Sequence, residues 1–304
     1  MIKNKPQGIS ILIPIYNTDA RPLMKSLSVE VGKVFGRIPT EIVCLDDGSI
    51  DRIKQINEEI AQYDYVKYRE LPDNIGRSAI RNLLAEEATY NTLIFLDGDS
   101  GVPPGFLERY LHHFKDPVVV GGRTYPVTSP GPEYTLHWKI GISREFFSPE
   151  NRQKKPYKSF MLNNLMIKSC VYNDIKLDEK IKGYGHEDTK FGYQLKEKKI
   201  PITYTHNPVF HMGLDSNQDF LRKTKEGVGN LYLIAKNGYG LETTLYQTFL
   251  RLKRLRMLNA FLASYKLMEK KIEDNLLSPS PSLTFFDMYK LNILIRIYKE
   301  DLKK

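Results

Sequence analysis

The sequence has few cysteines, no long hydrophobic run and no signal-like amino terminus. Its two cysteines, Cys44 and Cys170, lie in apolar, strand-like surroundings and form no C-x-x-C pair, which argues against a disulfide framework and a zinc knuckle. The first apolar run, ISILIPIY, is short and interrupted by Pro14, so it lacks the length of a membrane span or a signal-peptide core. These absences predict a cytoplasmic protein in a reducing compartment.

Two glycine-rich nucleotide-binding motifs are also absent. No G-x-G-x-x-G follows the first apolar run, and G-x-x-x-x-G-K-[ST] occurs nowhere in the chain. These absences exclude the Rossmann dinucleotide fingerprint and the P-loop. A nucleotide diphosphate would need another source of positive charge, and a divalent ion held by carboxylates is the physical substitute.

The composition that remains is typical of a folded, basic protein. Of the 304 residues, 41% are hydrophobic and 27% are charged, and the chain suits one elaborate domain or one domain with an appendage. The net charge of +9 predicts attraction to anions. Nucleic acid, an acidic membrane surface and phosphorylated small molecules all remain open, although no recognised nucleic-acid motif is present.

The first 125 residues alternate short apolar runs with helix-like stretches. This alternation predicts an α/β fold with a mostly parallel sheet flanked by helices. Strands are predicted at 9–15, 40–47, 65–71, 91–99 and 117–122. Helices are predicted near 20–35, 50–62, 76–88 and 104–114, the last entered through Pro103-Pro104.

Polar residues end three of the first four predicted strands. These ends are Tyr16-Asn17, Asp46-Asp47-Gly48-Ser49 and Asp97-Gly98-Asp99. A single D-x-D triplet is usually a solvated turn, but the carboxyl ends of parallel strands share one sheet edge, where ligands bind. Three equivalent polar ends therefore predict a nucleotide pocket, in which two neighbouring carboxylates would share a cation.

Six segments, taken in order, resemble the inverting family 2 glycosyltransferases of the GT-A fold. They are ILIPIYN (11–17), LDDGS (45–49), DNIGRSAIRN (73–82), FLDGDS (95–100), NNLMIK (163–168) and LDEKIKGYGHEDTKFGYQL (177–195). The resemblance covers about residues 9 to 215. The segment GYGHEDTKFGYQL is also similar to the galactosyl- and N-acetylgalactosaminyltransferase pattern.

The resemblance implies a nucleotide-sugar donor site. In it, Tyr16 and the backbone around Pro14 would form one wall of the base pocket. Asp47 would accept the N3–H of uracil, which moderately favours a UDP-sugar. Arg81 falls where the family's nucleotide-side arginine lies, and Arg77, one turn earlier, is expected on a solvated surface.

The same resemblance implies a metal site for Mn2+ or Mg2+. Asp99 would ligate the ion, and Asp97 would meet the ribose or the ion's water shell. A lone histidine is more often structural than ligating, but the related transferases place a metal-binding histidine at about the position of His211. Imidazole with carboxylates suits either ion, and His206 is the main rival ligand.

Glu187 and Asp188 open an amphipathic stretch, EDTKFGYQLKEKK, after the glycine-rich turn at 183–185. Two interpretations remain open. The acids could serve only the dipole of a surface helix, or, as the resemblance implies, Asp188 is the general base for the acceptor hydroxyl and Glu187 positions the acceptor. His186 would line the acceptor pocket.

The resemblance fades beyond about residue 215, so we predict a catalytic domain over 1–215 and a basic helical extension over 216–304. DFLRKTKEGVGN (219–230) is interpreted as a loop or as a lid whose Lys223 and Lys225 meet the diphosphate. A long basic helix is predicted at 245–267, a linker at 278–281 and a terminal helix at 283–302. The basic helix would pack on the catalytic domain or touch the inner face of a membrane peripherally.

These observations predict a metal-dependent inverting glycosyltransferase that moves a sugar from a nucleotide donor to a glycan or lipid-linked glycan in bacterial-type surface polysaccharide synthesis. The alternative within enzymes is a polyprenyl-phosphate glycosyltransferase, a group that usually carries membrane helices. A non-catalytic nucleic-acid-binding or sugar-binding protein would explain the charge but not the acids at successive strand ends. The donor sugar, the acceptor, the linkage and the oligomeric state do not follow from the sequence.

Overall fold

The computed structural model describes residues 5–158, 160–239 and 242–303. The strands are β1 (Ile9–Ile15), β2 (Thr40–Asp46), β3 (Val66–Glu70), β4 (Thr92–Leu96), β5 (Ser100–Gly101), β6 (Val118–Val120), β7 (Arg123–Thr124), β8 (Asn164–Lys168), β9 (Thr203–Tyr204) and β10 (Val209–His211). The helices are α1 (Arg21–Val34), α2 (Asp51–Asn57), α3 (Arg77–Glu87), α4 (Phe106–Leu111), α5 (Thr135–Arg144), α6 (Pro149–Gln153), α7 (Ser169–Ile175), α8 (Glu187–Glu197), α9 (Asn217–Lys236), α10 (Thr244–Arg254), α11 (Leu258–Leu276) and α12 (Leu283–Asp301). Short 3-10 helices cover Glu58–Gln62 and Pro132–Tyr134.

A seven-stranded sheet organises the first half of the chain in the order β3-β2-β1-β4-β8-β6-β9. Strands β1 to β4 are parallel, β8 is antiparallel to both β4 and β6, and β9 is parallel to β6. The predicted α/β fold with a mostly parallel sheet is confirmed. Because β1, β2 and β4 run in the same direction, their polar carboxyl ends lie at one edge, as the sequence predicted.

Both faces of this sheet are buried, which is why its strands read as nearly continuous apolar runs. On β1, Ile11 and Ile13 pack with Leu27 of α1 and Phe106 of α4 on one face. Leu12 packs on the other face in a cluster that also includes residues of α3, α7 and α8. The helices thus hold the central strands rigidly and leave their carboxyl ends available for chemistry.

A second, three-stranded sheet has the order β5-β10-β7. Its middle strand places His211 opposite Ser100, one residue after Asp99. It also pairs Val209 with Arg123 of β7. This small sheet therefore carries a histidine and an arginine to the polar end of β4, which local sequence patterns do not show.

Two compact units emerge from the described chain. The first comprises Met1–Tyr125, Phe146–Lys182 and Glu187–Gly213, and includes both sheets. The second comprises Pro126–Glu145, Gly183–His186 and Leu214–Lys304, and is helical, with Phe220, Tyr265 and Phe286 in one of its cores. The predicted division at residue 215 into a catalytic domain and an extension stays a prediction.

Several sequence expectations need correction. The segment 219–230 is part of the continuous helix α9 and is neither a loop nor a lid. The predicted helix 104–114 begins at Phe106, because Gly105 adopts the left-handed conformation, with φ of 77°, after Pro104. The predicted helix 245–267 is two helices, α10 and α11, separated by a turn in which Arg256 has a φ of 56°.

Two smaller expectations also have clear outcomes. Cys44 is buried in β2 as its apolar surroundings suggest, but Cys170 is exposed on α7 and not in a strand. Within the described ranges, no helix has both the length and the apolar character needed to span a bilayer.

Candidate functional site

Glycines bring the polar strand ends into close contact. A Cβ on Gly98 would lie 3.1 Å from the carbonyl oxygen of Pro14, so the ends of β4 and β1 almost touch. Gly48 has a φ of 73°, and a Cβ there would lie 2.7 Å from the backbone nitrogen of Asn74. Larger residues would push these loops apart, so the two glycines keep the predicted nucleotide-binding segments together.

Tyr16 is displayed by a fixed turn at the end of β1. The Asn17 N–H donates to Ser49 Oγ at 2.7 Å, and Asn17 Oδ1 accepts from the Ile50 N–H at 3.0 Å. These bonds hold Asn17 in the left-handed region with a φ of 50°. Tyr16 is 53% exposed, and its place in the wall of a base pocket stays a prediction.

Asp47 is buried and fixes the loop that leads into α3. Its two carboxylate oxygens accept the backbone N–H groups of Ile75 at 2.7 Å and Gly76 at 3.1 Å. Burial raises the pKa of Asp47 more than these hydrogen bonds lower it. Each oxygen keeps a second lone pair that could accept a further hydrogen bond. Asp47 therefore stabilises this loop, and its recognition of uracil stays a prediction.

Asp97 lies between two arginines. Arg81 Nη2 on α3 donates to Asp97 Oδ1 at 2.5 Å, and Arg123 Nη2 on β7 lies 3.5 Å from Asp97 Oδ2. Burial alone would raise the pKa of Asp97, but the charges of Arg81, Arg77 and Arg123 hold it well below its usual range. Asp97 is therefore ionised, and its predicted contact with ribose or a metal's water shell stays a prediction.

Asp99 faces His211. His211 Nδ1 lies 3.5 Å from Asp99 Oδ2, and the backbone of Gly213 approaches so closely that a Cβ there would lie 2.1 Å from the same oxygen. Burial and the charge of Asp97 raise the pKa of Asp99 to about 6. His206, the rival ligand, is exposed.

This pair fits part of a divalent metal site. A carboxylate and an imidazole suit Mn2+ or Mg2+, and a buried carboxyl whose pKa is raised by a like charge is stabilised by a cation. The described residues contain no group of three or more His, Cys, Asp or Glu side chains arranged around one ion. Asp99 and His211 would hold such an ion, with Asp97 beside them, and this assignment stays a prediction.

Arg77 is exposed, as expected of a solvated position, and it also pairs with a buried acid. Its Nε donates to Glu187 Oε1 at 2.7 Å, and its own carbonyl oxygen accepts from Arg81 Nη1 at 3.1 Å. Burial would raise the pKa of Glu187, yet the charges of Arg77 and Arg81 keep it below its usual value. Arg77 and Arg81, one turn apart on α3, thus link Glu187 with Asp97.

Asp188 follows at the start of α8, half-buried. Its Oδ1 accepts the backbone N–H of Thr189 at 2.6 Å. The amphipathic pattern is confirmed, since Phe191 and Leu195 are buried. These facts agree with the helix-start interpretation and leave the predicted general base untested.

The turn before these acids is held by α9. Asn230 Nδ2 donates to the carbonyl oxygens of Tyr184 at 3.2 Å and Gly185 at 3.1 Å. Glu226 Oε2 accepts the Tyr184 N–H at 3.2 Å, and a Cβ on Gly227 would lie 3.4 Å from the Tyr184 carbonyl oxygen. His186 itself has a φ of 72°. Helix α9 therefore sets the backbone of the segment predicted to face the acceptor.

Lys223 and Lys225, expected at a diphosphate, lie on this helix. Lys223 Nζ pairs with Asp215 Oδ1 at 2.6 Å and lies 5.4 Å from the ring centre of Tyr184. Lys225 is exposed. Their predicted role as part of a lid is not supported, because the segment is an ordered helix.

Sequence reasoning missed two residues of this edge. Arg123 reaches Asp97 only through the pairing of β7 with β10, so no local pattern announces it. Asn163 precedes Asn164, which pairs with Leu96 in the antiparallel register of β4 and β8, so Asn163 lies opposite Asp97. Its buried Oδ1 has no hydrogen-bond partner among the described residues. The segment NNLMIK, which is part of the family resemblance, contains Asn163 and could have drawn attention to it.

Comparison with known families decides the assignment. The profile described as "Glycosyl transferase family 2" matches residues 10–170, more than half of the chain. The chain belongs to glycosyl transferase family 2. The expectation of a glycosyltransferase is thereby confirmed at the level of the family, while the galactosyl- or N-acetylgalactosaminyltransferase type stays a prediction.

Individual family 2 relatives are distant. Chondroitin synthase of Pasteurella multocida is 26% identical over 228 residues, 64% of this chain and 23% of that protein. Glycosyltransferase AglE of Haloferax volcanii is 31% identical over 173 residues, 55% of this chain and 54% of that protein. This chain thus matches about a quarter to half of the length of these relatives.

A solved structure agrees on the fold. S. aureus TarS 1-349 is 15% identical and covers 98% of this chain and 92% of that chain, with a TM-score of 0.50. At this identity the likeness concerns the fold alone, and it confirms the GT-A type of α/β architecture.

Proposed function

We propose that this family 2 chain is a metal-dependent inverting glycosyltransferase that uses a UDP-sugar and extends a glycan or a lipid-linked glycan. One observation carries the proposal: Asp97, Asp99 and His211 meet at the sheet edge where Tyr16 is displayed. The family and the name chondroitin synthase of one relative support a growing glycan as the acceptor. Surface polysaccharide synthesis is the setting that fits both.

On the donor side, Asp99 and His211 would hold a divalent ion, which neutralises charge on the diphosphate when bound. Arg81 and Arg123 keep Asp97 ionised and oriented beside them. Tyr16 would stack on the base, and Asp47, fixed by its two backbone hydrogen bonds, would accept from the uracil N3–H. Asn163 would offer its buried amide oxygen to a donor hydroxyl, a polar ligand group that would satisfy it.

On the acceptor side, Asp188 would take the proton from the attacking hydroxyl. Glu187 would orient the acceptor while Arg77 keeps its carboxylate ionised. A single displacement at the anomeric carbon then inverts its configuration. His186 would line the acceptor pocket.

Calorimetric titration with UDP tests the donor half without knowledge of the sugar. We expect tighter binding with Mn2+ than with excess chelator, and we expect Asp99→Asn to remove that difference. Asp64→Asn is the matched control, because Asp64 is exposed just before the amino end of β3, the opposite edge of the sheet. Equal UDP affinity with Mn2+ and with chelator would contradict the metal assignment. A screen of UDP-, GDP- and CDP-sugars for transfer or hydrolysis then identifies the donor class.

A further inference from the structure

The turn between α10 and α11 exposes apolar side chains beside arginines. Leu250, Leu255 and Met257 are 37%, 54% and 47% exposed. The arginines next to them in sequence are also exposed. We name this surface the basic corner, and it consists of Leu250, Arg251, Arg254, Leu255, Arg256 and Met257.

In the part of the chain that the structure describes, the arginines of the basic corner lack an acidic partner. Among the described residues, no carboxylate forms an ion pair with Arg251, Arg254 or Arg256, whereas exposed arginines elsewhere, such as Arg37 and Arg296, do pair with acids. The sequence between Glu242 and Glu269 contains five cations and no acid. The corner is therefore an uncompensated positive surface.

Helix α10 packs mainly through side chains outside the basic corner. Helix α10 buries Phe249, which packs edge-on against Tyr298 of α12 at 5.2 Å between ring centres. Lys253 lies over the same Tyr298 ring, at 4.5 Å. Leu250, Leu255 and Met257 stay partly exposed beside this packing.

Arg256 adopts a backbone conformation that favours glycine. Its φ is 56°, in the left-handed region, where a side chain with a Cβ is disfavoured. Glycine would form the same turn without this strain, and yet an arginine occupies the tip. Its N–H donates to the Lys253 carbonyl oxygen at 3.1 Å, but its side chain is exposed and forms no ion pair within the described residues, which points to a function outside the fold.

We propose that the basic corner binds the surface of a membrane that contains anionic phospholipids. Guanidinium groups pair with lipid phosphates, and aliphatic side chains set between them enter the boundary between headgroups and acyl chains. Exposed aliphatic side chains among unpaired cations fit this boundary better than they fit nucleic acid, whose backbone offers phosphate but no apolar layer. The chain would thus bind peripherally.

Vesicle flotation tests this proposal without any sugar donor, so its outcome is independent of the proposed catalysis. The probes are vesicles of phosphatidylcholine alone and vesicles with about one-third phosphatidylglycerol. We expect binding to the anionic vesicles only, and weaker binding as salt rises from about 0.1 to 0.5 M. Arg254→Gln with Arg256→Gln should weaken binding roughly 25-fold, about 5-fold for each charge.

Three further variants separate the causes. Lys270→Gln with Lys271→Gln removes the same charge from an exposed stretch of α11 and should change binding less than about 2-fold. Leu255→Ser with Met257→Ser should weaken binding to anionic vesicles roughly 10-fold, because the apolar contact is lost. Arg256→Gly should weaken binding about 5-fold while the melting temperature stays equal or rises, since the strained φ is relieved.

Clear results would overturn the proposal. Absence of wild-type binding to anionic vesicles would do so, as would equal losses in the corner variant and the Lys270/Lys271 control, which would indicate a net-charge effect. Concentration-dependent dimers in light scattering that disappear in the corner variant, without vesicle binding, would assign the surface to a second copy of the chain.

Discussion

Breaking the ion pair between Arg77 and Glu187 should lower the free energy of unfolding of the sheet-containing unit, and the distance and burial of the pair give the expected size of this loss. The Arg77 Nε and Glu187 Oε1 atoms are 2.7 Å apart, and the Glu187 side chain is only 6% exposed. Two unit charges about 4 Å apart attract by about 4 kcal/mol at an effective dielectric constant of about 20. Because the Arg77 side chain is 42% exposed, water screens part of this, and we expect a coupling energy of about 1–2 kcal/mol.

A double-mutant cycle measures this coupling. Arg77→Met, Glu187→Gln and the double variant are compared by urea unfolding, with circular dichroism as the signal. Arg77→Met should cost about 1–3 kcal/mol, because it removes one of the two arginine charges that stabilise the buried Glu187 carboxylate. The double variant should lose less than the sum of the single losses.

The cycle includes its own controls. Arg52→Met removes an exposed arginine of α2 and should change the free energy of unfolding by less than about 0.5 kcal/mol. The coupling should fade as pH falls through the depressed pKa of Glu187, since a protonated carboxyl no longer attracts Arg77. A coupling energy within about 0.3 kcal/mol of zero at neutral pH would refute the assignment of Arg77 to Glu187.

Three further outcomes are expected. Asp188→Asn should reduce sugar transfer at least about 100-fold with unchanged UDP–Mn2+ affinity, while Glu187→Gln should mainly raise the acceptor KM. Steady-state kinetics at saturating donor measure both effects. If the Asp188→Asn variant retained transfer, the general base would have to lie elsewhere. Asn230→Ala should lower the free energy of unfolding by about 0.5–1.5 kcal/mol, because it removes the donor for two carbonyl oxygens of the turn at 184–185. An unchanged midpoint of urea unfolding would contradict this role of Asn230. Glu41→Gln should destabilise the protein by about 1–3 kcal/mol at pH 7, since buried Glu41 accepts hydrogen bonds from Ser10 and Thr89 and pairs with Lys67. The folded-state pKa of Glu41 is lowered, so this stability is lost as pH falls through that pKa, and a loss that persisted in acid would contradict the charge argument.

Local signals predicted the sheet and the residues at its edge. Apolar runs with polar ends are a local property, so β1 at Ile9–Ile15 and the strand that delivers Asp97 and Asp99 were predicted within a few residues. The pairing of Arg77 with Glu187 joins residues 110 positions apart, and no local pattern reveals such a partner.

The helical part was harder to predict for identifiable reasons. Gly227 and Gly229 weaken the helical pattern of 219–230, although both lie within α9. The break after α10 has neither glycine nor proline at 255–257, so the sequence reads as one continuous helix. The turn forms because Arg256 adopts a left-handed backbone conformation, which the helix propensities of residues 255–257 do not predict.

The position of β8 in the sheet constrains the order in which the nascent chain can fold. Strand β8, at Asn164–Lys168, inserts between β4 and β6, although both of these are synthesised earlier. Until β8 leaves the ribosome, β4 presents an open edge to solvent and β6 has no neighbour on that side. A chain arrested before Asn164 would therefore expose a flat apolar edge prone to aggregation, and one arrested beyond Lys168 would have the strand that covers it.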